Sequence, residues 1–202
     1  MIVVVDYEAG NLKSVETALR SLGASFTVSS DPRRIATADR VILPGVGDAR
    51  AAMDRLRHQH MDEALRAFVA SGSPFLGICL GSQIVLDHSE ENDAPCLGLI
   101  PGRAVAFSPG GEHKIPHMGW NTIENRATHP LFDAIPEDAS FYFVHSYYPE
   151  PAGDQYCLAR CEYGERFCAV VGRDNVVATQ FHPEKSGRPG LRMLQNFLDW
   201  RP

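Results

Sequence analysis

The 202-residue sequence is short of several things, and each shortage excludes something. Its five cysteines, at 79, 96, 157, 161 and 168, include no CxxC pair. Zinc ribbons and thioredoxin-type redox centres need that spacing and are excluded. The odd count and irregular spacing also argue against a disulfide framework, so the expected setting is reduced and cytoplasmic. No apolar run approaches the ~20 residues needed to span a bilayer. The run Ile2 to Val5 reaches Asp6 too soon for the apolar region of a signal peptide. Basic residues are in deficit, 19 Lys and Arg against 25 Asp and Glu, giving a formal net charge of −6. A basic footprint for nucleic acid or an anionic membrane is therefore missing. Neither GxGxxG nor GxxxxGK[ST] occurs, which removes support for a dinucleotide or P-loop phosphate site. Repeats, low-complexity tracts and a dividing linker are also lacking, so residues 1–202 are expected to form a single domain.

What is present is a βαβ rhythm. Ile2 to Val5 reads as a buried parallel strand. A turn at Ala9-Gly10-Asn11 follows, and Asn11 or Ser14 is positioned to cap a helix that ends at Gly23. Phe26 to Val28, Arg40 to Leu43 and Phe75 to Ile78 read as further strands. Met53, Leu56, Met61, Leu65, Phe68 and Val69 mark one amphipathic stretch closing at Gly72, and another helix is expected just after Leu80-Gly81-Ser82. From about residue 97 to 177 the strands crowd together between Pro/Gly turns such as Pro101-Gly102 and Pro109-Gly110-Gly111, which suggests a mixed or antiparallel section. A last helix runs from Gly187 to Trp200 with Leu191, Phe197 and Leu198 facing the core. The expectation is an α/β fold with an open, mixed, mostly parallel sheet flanked by helices.

Chemistry concentrates in a few places. In Gly77-Ile78-Cys79-Leu80-Gly81 a strand runs into a helix through a tight turn with small flanking residues, the cysteine form of a nucleophile elbow. The following helix N-terminus would lower the thiol pKa, and the Leu80 amide would face an oxyanion. The same segment also fits a buried cysteine at a close helix–strand contact. A cysteine nucleophile needs a histidine base oriented by an acid. Of eight histidines, only His182, in Phe181-His182-Pro183-Glu184, lies at a strand end with a carboxylate two residues on. In an extended chain those two side chains would point the same way; a solvent-facing loop histidine is the plainer alternative. The separation of 103 residues from Cys79 to His182 joins two strand ends of one sheet, where α/β sites form.

Pro44-Gly45-Val46-Gly47 lets a backbone amide approach a substrate or rotate, although the same residues make an ordinary turn. Pro116-His117-Met118-Gly119-Trp120-Asn121 and Tyr142-Phe143-Val144-His145-Ser146-Tyr147 could bind a polar small molecule or a partner, or pack as core aromatics. His58 and His60 look solvated. Cys157, Cys161 and Cys168 look like small packing residues, Cys96 a loop residue, and Ser89 to Asp93 a surface loop.

Taken together, these segments resemble the class I (triad-type) glutamine amidotransferases over the whole chain. They are most similar to the glutaminase subunits of imidazole glycerol phosphate synthases. The resemblance rests on Asp6-Tyr7 with Ala9 to Leu12, Pro44 to Gly47, Gly77 to Gly81, Pro116 to Asn121, Phe143 to Tyr147 and His182 to Gly187. It implies a flavodoxin-like three-layer sandwich and a catalytic triad of Cys79, His182 and Glu184. It further implies an oxyanion site at Leu80 and at Gly45, Val46 or Gly47, and glutamine-holding groups at Gln83, His145, Ser146 and Tyr147. Pro116, His117, Met118, Trp120, Asn121, Tyr142 and Lys185 would lie near a partner surface and ammonia gate. The implied partner is a separate (β/α)8-barrel cyclase subunit, with neither cofactor nor metal. Ser82 stands where most members carry Met, which leaves room for a paralogue serving a different amidating synthase. The same segments would also suit a catalytically silent scaffold that only binds a partner, or a γ-glutamyl hydrolase that works without one.

Overall fold

The computed structural model describes residues 1–8, 12–108, 113–124 and 127–202. The expected turns at Ala9 to Asn11 and Pro109 to Gly111, and the capping choice of Asn11, lie outside the described residues. Seven strands form the main sheet: β1 (Ile2–Val5), β2 (Phe26–Ser29), β3 (Arg40–Gly45), β4 (Phe75–Cys79), β11 (Cys157–Tyr163), β12 (Glu165–Arg173) and β13 (Val176–Thr179). Their order is β11-β12-β13-β4-β3-β1-β2. β2, β1, β3, β4 and β13 run parallel, while β12 and β11 complete the edge antiparallel.

Alternation along the buried strands builds two cores. Ile2, Val4, Ile42, Leu76 and Ile78 face α1 (Leu12–Ser21) and α6 (Gly187–Asp199). Val3, Val5, Val41, Leu43 and Phe75 face α3 (Ala49–His58), α4 (Met61–Ala70) and α5 (Leu80–Ile84). Helices thus cover both faces of a mostly parallel sheet, the three-layer arrangement that the strand rhythm predicts. A short helix α2 (Pro32–Ala36) follows β2; it is not among the expected elements, although Asp31-Pro32 is a helix-start signal, and Asp31 caps it by accepting from the Arg33 amide at 2.9 Å.

The single amphipathic stretch expected across 53–69 is two helices. The five residues from Leu56 to Met61 would carry an unbroken helix round by roughly 500°, leaving the two buried residues about 140° apart. A break at His60, with φ 56°, restores Met61, Leu65 and Phe68 to the core side. In α6, Met193, Leu194 and Phe197 are the fully buried residues, while Leu191 and Leu198 only border the core.

The remaining strands form a smaller layer over the C-terminal ends of the parallel strands. β5 (His88–Ser89), β6 (Ala94–Pro95), β7 (Gly102–Ala106) and β10 (Tyr147–Pro151) make a four-stranded sheet. β8 (His117–Thr122) and β9 (Ser140–His145) pair antiparallel, with His117 opposite His145. Residues 89–93 meet the surface-loop expectation at the exposed Glu90, Asn92 and Asp93 and depart from it at Ser89, which is buried; Glu91–Asp93 is a 3₁₀ turn against the start of α3. Glu91 Oε2 accepts from the Ala49 amide at 2.9 Å, and burial raises its carboxyl pKa against that bond. Asn92 binds Asp48, and Arg50 binds the carbonyls of Asn92 and Asp93. Among the described residues no helix is long and apolar enough to cross a membrane.

Candidate functional site

β4 is buried throughout and ends at Cys79, where the backbone turns to φ 55° and ψ −107°. Positive φ in a residue with a Cβ costs of order 1–3 kcal/mol and persists only where its surroundings enforce it. The flanking glycines are part of that enforcement. A Cβ on Gly77 would sit 2.7 Å from the Gly81 carbonyl oxygen and 2.9 Å from Ala178 Cβ; one on Gly81 would collide with the Leu43 carbonyl oxygen. Ser82 Oγ donates to the Cys79 carbonyl at 2.7 Å, and Gly45 pairs with Cys79 across the β3–β4 ladder. The helix after the elbow starts at Leu80, three residues earlier than expected, and is only five residues long. So short a helix supplies little macrodipole, and electrostatic support for a thiolate must come from elsewhere.

That support lies at the end of the neighbouring strand. β13 runs beside β4, with Thr179 in register with Ile78. His182 follows it, held by its amide donating to the Tyr142 carbonyl at 2.9 Å and by Ser186 Oγ donating to its own carbonyl at 2.6 Å. His182 Nδ1 is 2.7 Å from Glu184 Oε1, with the two side chains 4% and 3% exposed. The contact is made by one 3₁₀ turn over Pro183–Lys185 rather than by extended-chain alternation. Burial pushes the His182 pKa down. Cys79 and Glu184 outweigh it and hold the imidazole up at about 9. The imidazole is thereby paired with Cys79 as well as with Glu184.

Cys79 opens on a cavity of about 340 Å³. Its floor is Cys79, Leu80 and Gln83, one wall is Val46 and Gly47, and the other is Val144 to Tyr147, with Glu91 and Pro116 at the rim. Gln83 Nε2 donates to the Tyr147 carbonyl at 2.9 Å and to Gln180 Oε1 at 3.0 Å. Burial depresses His145 to about 3, so it is neutral at physiological pH. The arrangement offers a thiol, a base paired with an acid, and backbone and amide groups able to hold a polar planar group.

Of the expected partner-surface residues, Met118 and Trp120 are the most exposed, at 61% and 60%. The Trp120 and Tyr142 rings lie 6.0 Å apart, and Lys185 Nζ sits 6.0 Å above the Tyr142 ring. Pro116 is exposed and Asn121 half-buried. His117 departs from the group: it is 2% exposed, because alternation along β8 turns it inward into an aromatic cluster.

Two buried neighbours of the elbow have no role assigned from the sequence, although Tyr7 falls in one of the segments that carry the family resemblance. Gln180 points its Nε2 at Cys79 Sγ, 3.9 Å away, and its place two residues before His182 was the available signal. The Tyr7 hydroxyl is buried beside Gly45 without a hydrogen-bond partner, and burial pushes its pKa up. Cys96 lies in a loop, as expected, between β6 and β7, and is buried there; burial pushes it and Cys161 up to about 12. Cys157 is half-buried and its thiol donates to the Ala159 carbonyl at 3.5 Å, while the buried Cys168 donates to the Val170 carbonyl at 3.2 Å. Among the described residues no three His, Cys, Asp or Glu side chains gather to hold a metal.

Known proteins are similar to this chain over nearly its whole length. The family profile described as "Glutamine amidotransferase class-I" matches residues 3–200. The chain is 50% identical over 203 residues to imidazole glycerol phosphate synthase subunit HisH of Nitratidesulfovibrio vulgaris strain DP4, covering 98% of this chain and 95% of that protein. It is 45% identical to the subunit of that name from Acinetobacter baylyi, covering 98% of each. A solved glutamine amidotransferase superposes with TM-score 0.76 at 21% identity over 98% of both chains. A chain of the PurLQS structure from Thermotoga maritima gives 0.73 at 19% identity, over 98% of this chain and 97% of that one.

Proposed function

This chain belongs to the class-I glutamine amidotransferase family, and from that membership we propose that it is the glutaminase subunit of an imidazole glycerol phosphate synthase, working in histidine biosynthesis. The observation that carries the catalytic part is the meeting of a strained Cys79, the buried His182–Glu184 pair and one cavity at adjacent strand ends. Cys79 attacks the side-chain amide carbon of glutamine. His182, oriented by Glu184 and charged at neutral pH, holds the proton taken from the thiol and passes it to the leaving nitrogen, so ammonia departs and a γ-glutamyl thioester remains. Water, deprotonated by His182, then attacks the thioester and releases glutamate. The Leu80 amide and a rotated amide of the Gly45-Val46-Gly47 segment stabilise the oxyanion. Gln83, His145, Ser146 and Tyr147 hold the substrate.

In this reading the stretch 1–202 acts as one cytoplasmic domain, and ammonia passes to a separate (β/α)8-barrel cyclase. The partner covers the surface around Met118, Trp120, Tyr142 and Lys185. Two apolar residues at about 60% exposure, beside a tyrosine capped by a lysine, support a docking face.

The test measures glutamate release from glutamine by the chain alone and with the cyclase and its nucleotide ligand. Strong stimulation by the liganded partner is expected; its absence sinks the assignment. Cys79→Ala should abolish glutamine-driven synthesis while free-ammonia-driven synthesis by the complex continues. Equal glutaminase rates in mutant and wild type would remove Cys79 from the chemistry.

A further inference from the structure

His117 and His145 form a hydrogen-bonded pair of buried imidazoles behind the cavity, and the triad uses neither. Their surroundings fix the position of every proton. The Tyr147 carbonyl only accepts, so His145 Nδ1, 2.8 Å away, carries a hydrogen. The rings are 2% and 6% exposed, and burial depresses their pKa to about 4 for His117 and about 3 for His145, which leaves each with a single N–H. His145 Nε2 is therefore bare and accepts from His117 Nδ1 at 3.0 Å. His117 Nε2 is bare in turn and faces Asn121 Nδ2 at 3.5 Å. Asn121 is oriented by the backbone: its Oδ1 accepts from the Thr122 amide at 2.9 Å, and its Nδ2 donates to the Glu162 carbonyl at 2.8 Å. All donors point one way, from Asn121 through both rings to Tyr147.

The chain of bonds ends on the cavity wall, because the Tyr147 carbonyl also accepts from Gln83. His117 is clamped between the rings of Phe143 and Tyr163, at 4.7 and 3.9 Å with interplanar angles of 22° and 21°. Within that stack the ring can only flip in its own plane, which would put a carbon where Nδ1 now donates.

We infer that His117 is a positioning residue: its Nδ1–H, donated to His145 Nε2, fixes the ring of His145, and His145 thereby holds the Tyr147 carbonyl and Gln83 where a primary carboxamide substrate is received. The inference rests on the reading of the cavity as a glutamine site. It goes beyond that reading by assigning a task to a residue that never touches the substrate. Without the His117 donor, His145 Nε2 is left buried and unpaired, and the ring loses one of the two bonds that orient it, so its hold on the Tyr147 carbonyl loosens.

Two substitutions separate donor from packing. His117→Phe keeps the aromatic stack and removes the donor; His117→Asn offers an amide N–H close to the place of Nδ1. In the complex with the cyclase, His117→Phe should raise the glutamine KM about tenfold, the usual weight of one buried hydrogen bond, with a smaller effect on kcat. Free-ammonia-driven turnover should be unchanged, and His117→Asn should recover most of the KM. A merely structural role would lower thermal stability without this KM–kcat split. The direct readout is the histidine ¹⁵N spectrum of the wild-type chain. It should show Nδ1–H at both His117 and His145, and in His117→Phe the His145 Nε2 resonance should move to the position of an acceptor without a partner. Nε2–H at either ring in the wild type, or an unchanged glutamine KM in a folded His117→Phe, overturns the inference. If the wild-type complex does not hydrolyse glutamine, the functional reading fails separately, while the spectrum still decides the tautomers.

Discussion

Replacing Glu184 with Gln measures how far the charge of His182 depends on its carboxylate. The substitution keeps the side-chain shape and an oxygen able to accept from Nδ1 across the 2.7 Å contact, and removes only the charge. In the wild type burial opposes the imidazolium, and Cys79 with Glu184 lifts its pKa from 6.5 to about 9. That lift corresponds to roughly 3 kcal/mol in favour of the charged ring in the fold. A hydrogen bond to an ionised group contributes about 1.5–3 kcal/mol and a neutral one about 1 kcal/mol. Loss of the charge therefore removes roughly 1–1.5 kcal/mol, and the His182 midpoint should fall by about one pH unit. The midpoint is read by NMR titration of the ring. A folded-state pKa above the unfolded value gives stability that is fully present below about pH 6.5 and is lost as pH rises through about 9. The mutant's stability deficit should thus be largest near pH 6 and shrink by roughly 1 kcal/mol by pH 10, where both chains hold a neutral ring. Glutaminase kcat should drop on the order of a hundredfold or more, since the base loses its orienting charge. A midpoint unchanged within about 0.3 pH units, with a pH-independent stability deficit, would refute the electrostatic role of Glu184.

Gly81→Ala should destabilise the chain by about 1–3 kcal/mol, because its Cβ meets the Leu43 carbonyl oxygen and the elbow must separate from β3; thermal unfolding would show it as a drop of about 3–10 °C. Tyr7→Phe removes a buried hydroxyl that has no partner, so the denaturant midpoint should hold or rise by up to about 1 kcal/mol; a clear loss would mean that the hydroxyl is bonded after all. Trp120→Ala should weaken cyclase binding by about 2 kcal/mol, roughly thirtyfold in Kd by calorimetry, while the basal stability of the chain stays put, since the ring is 60% exposed.

The parallel half of the fold is readable in the sequence because its strands are continuous apolar runs closed by turn residues, as in Ile2 to Val5 and Phe75 to Cys79. The break at His60 is hidden because each helix is amphipathic on its own and only the phase between them is wrong. The small layer is hidden for another reason. Strands as short as His88–Ser89 have no period, and their pairing with Arg103 and Ala104 is set by chain that arrives later. The site divides in the same way. Cys79 and the His182–Glu184 pair sit in local motifs whose chemistry shows at short range. The inward turn of His117 depends on the β8–β9 register, which puts it opposite a residue 28 positions away, and no local pattern records that.

The Gly45 to Gly47 segment is held at both ends. β3 is laddered to β4 as far as Gly45, and α3 begins at Ala49 with its first turn tied to Glu91 and Asp48. A segment fixed so closely on both sides has no room for the swing of a lid. The freedom left to it is the crank of a single peptide plane, which leaves the flanking chain in place. Such a motion displaces little solvent and breaks few contacts, so the turn of that plane is the least costly rearrangement open to the cavity wall beside Cys79.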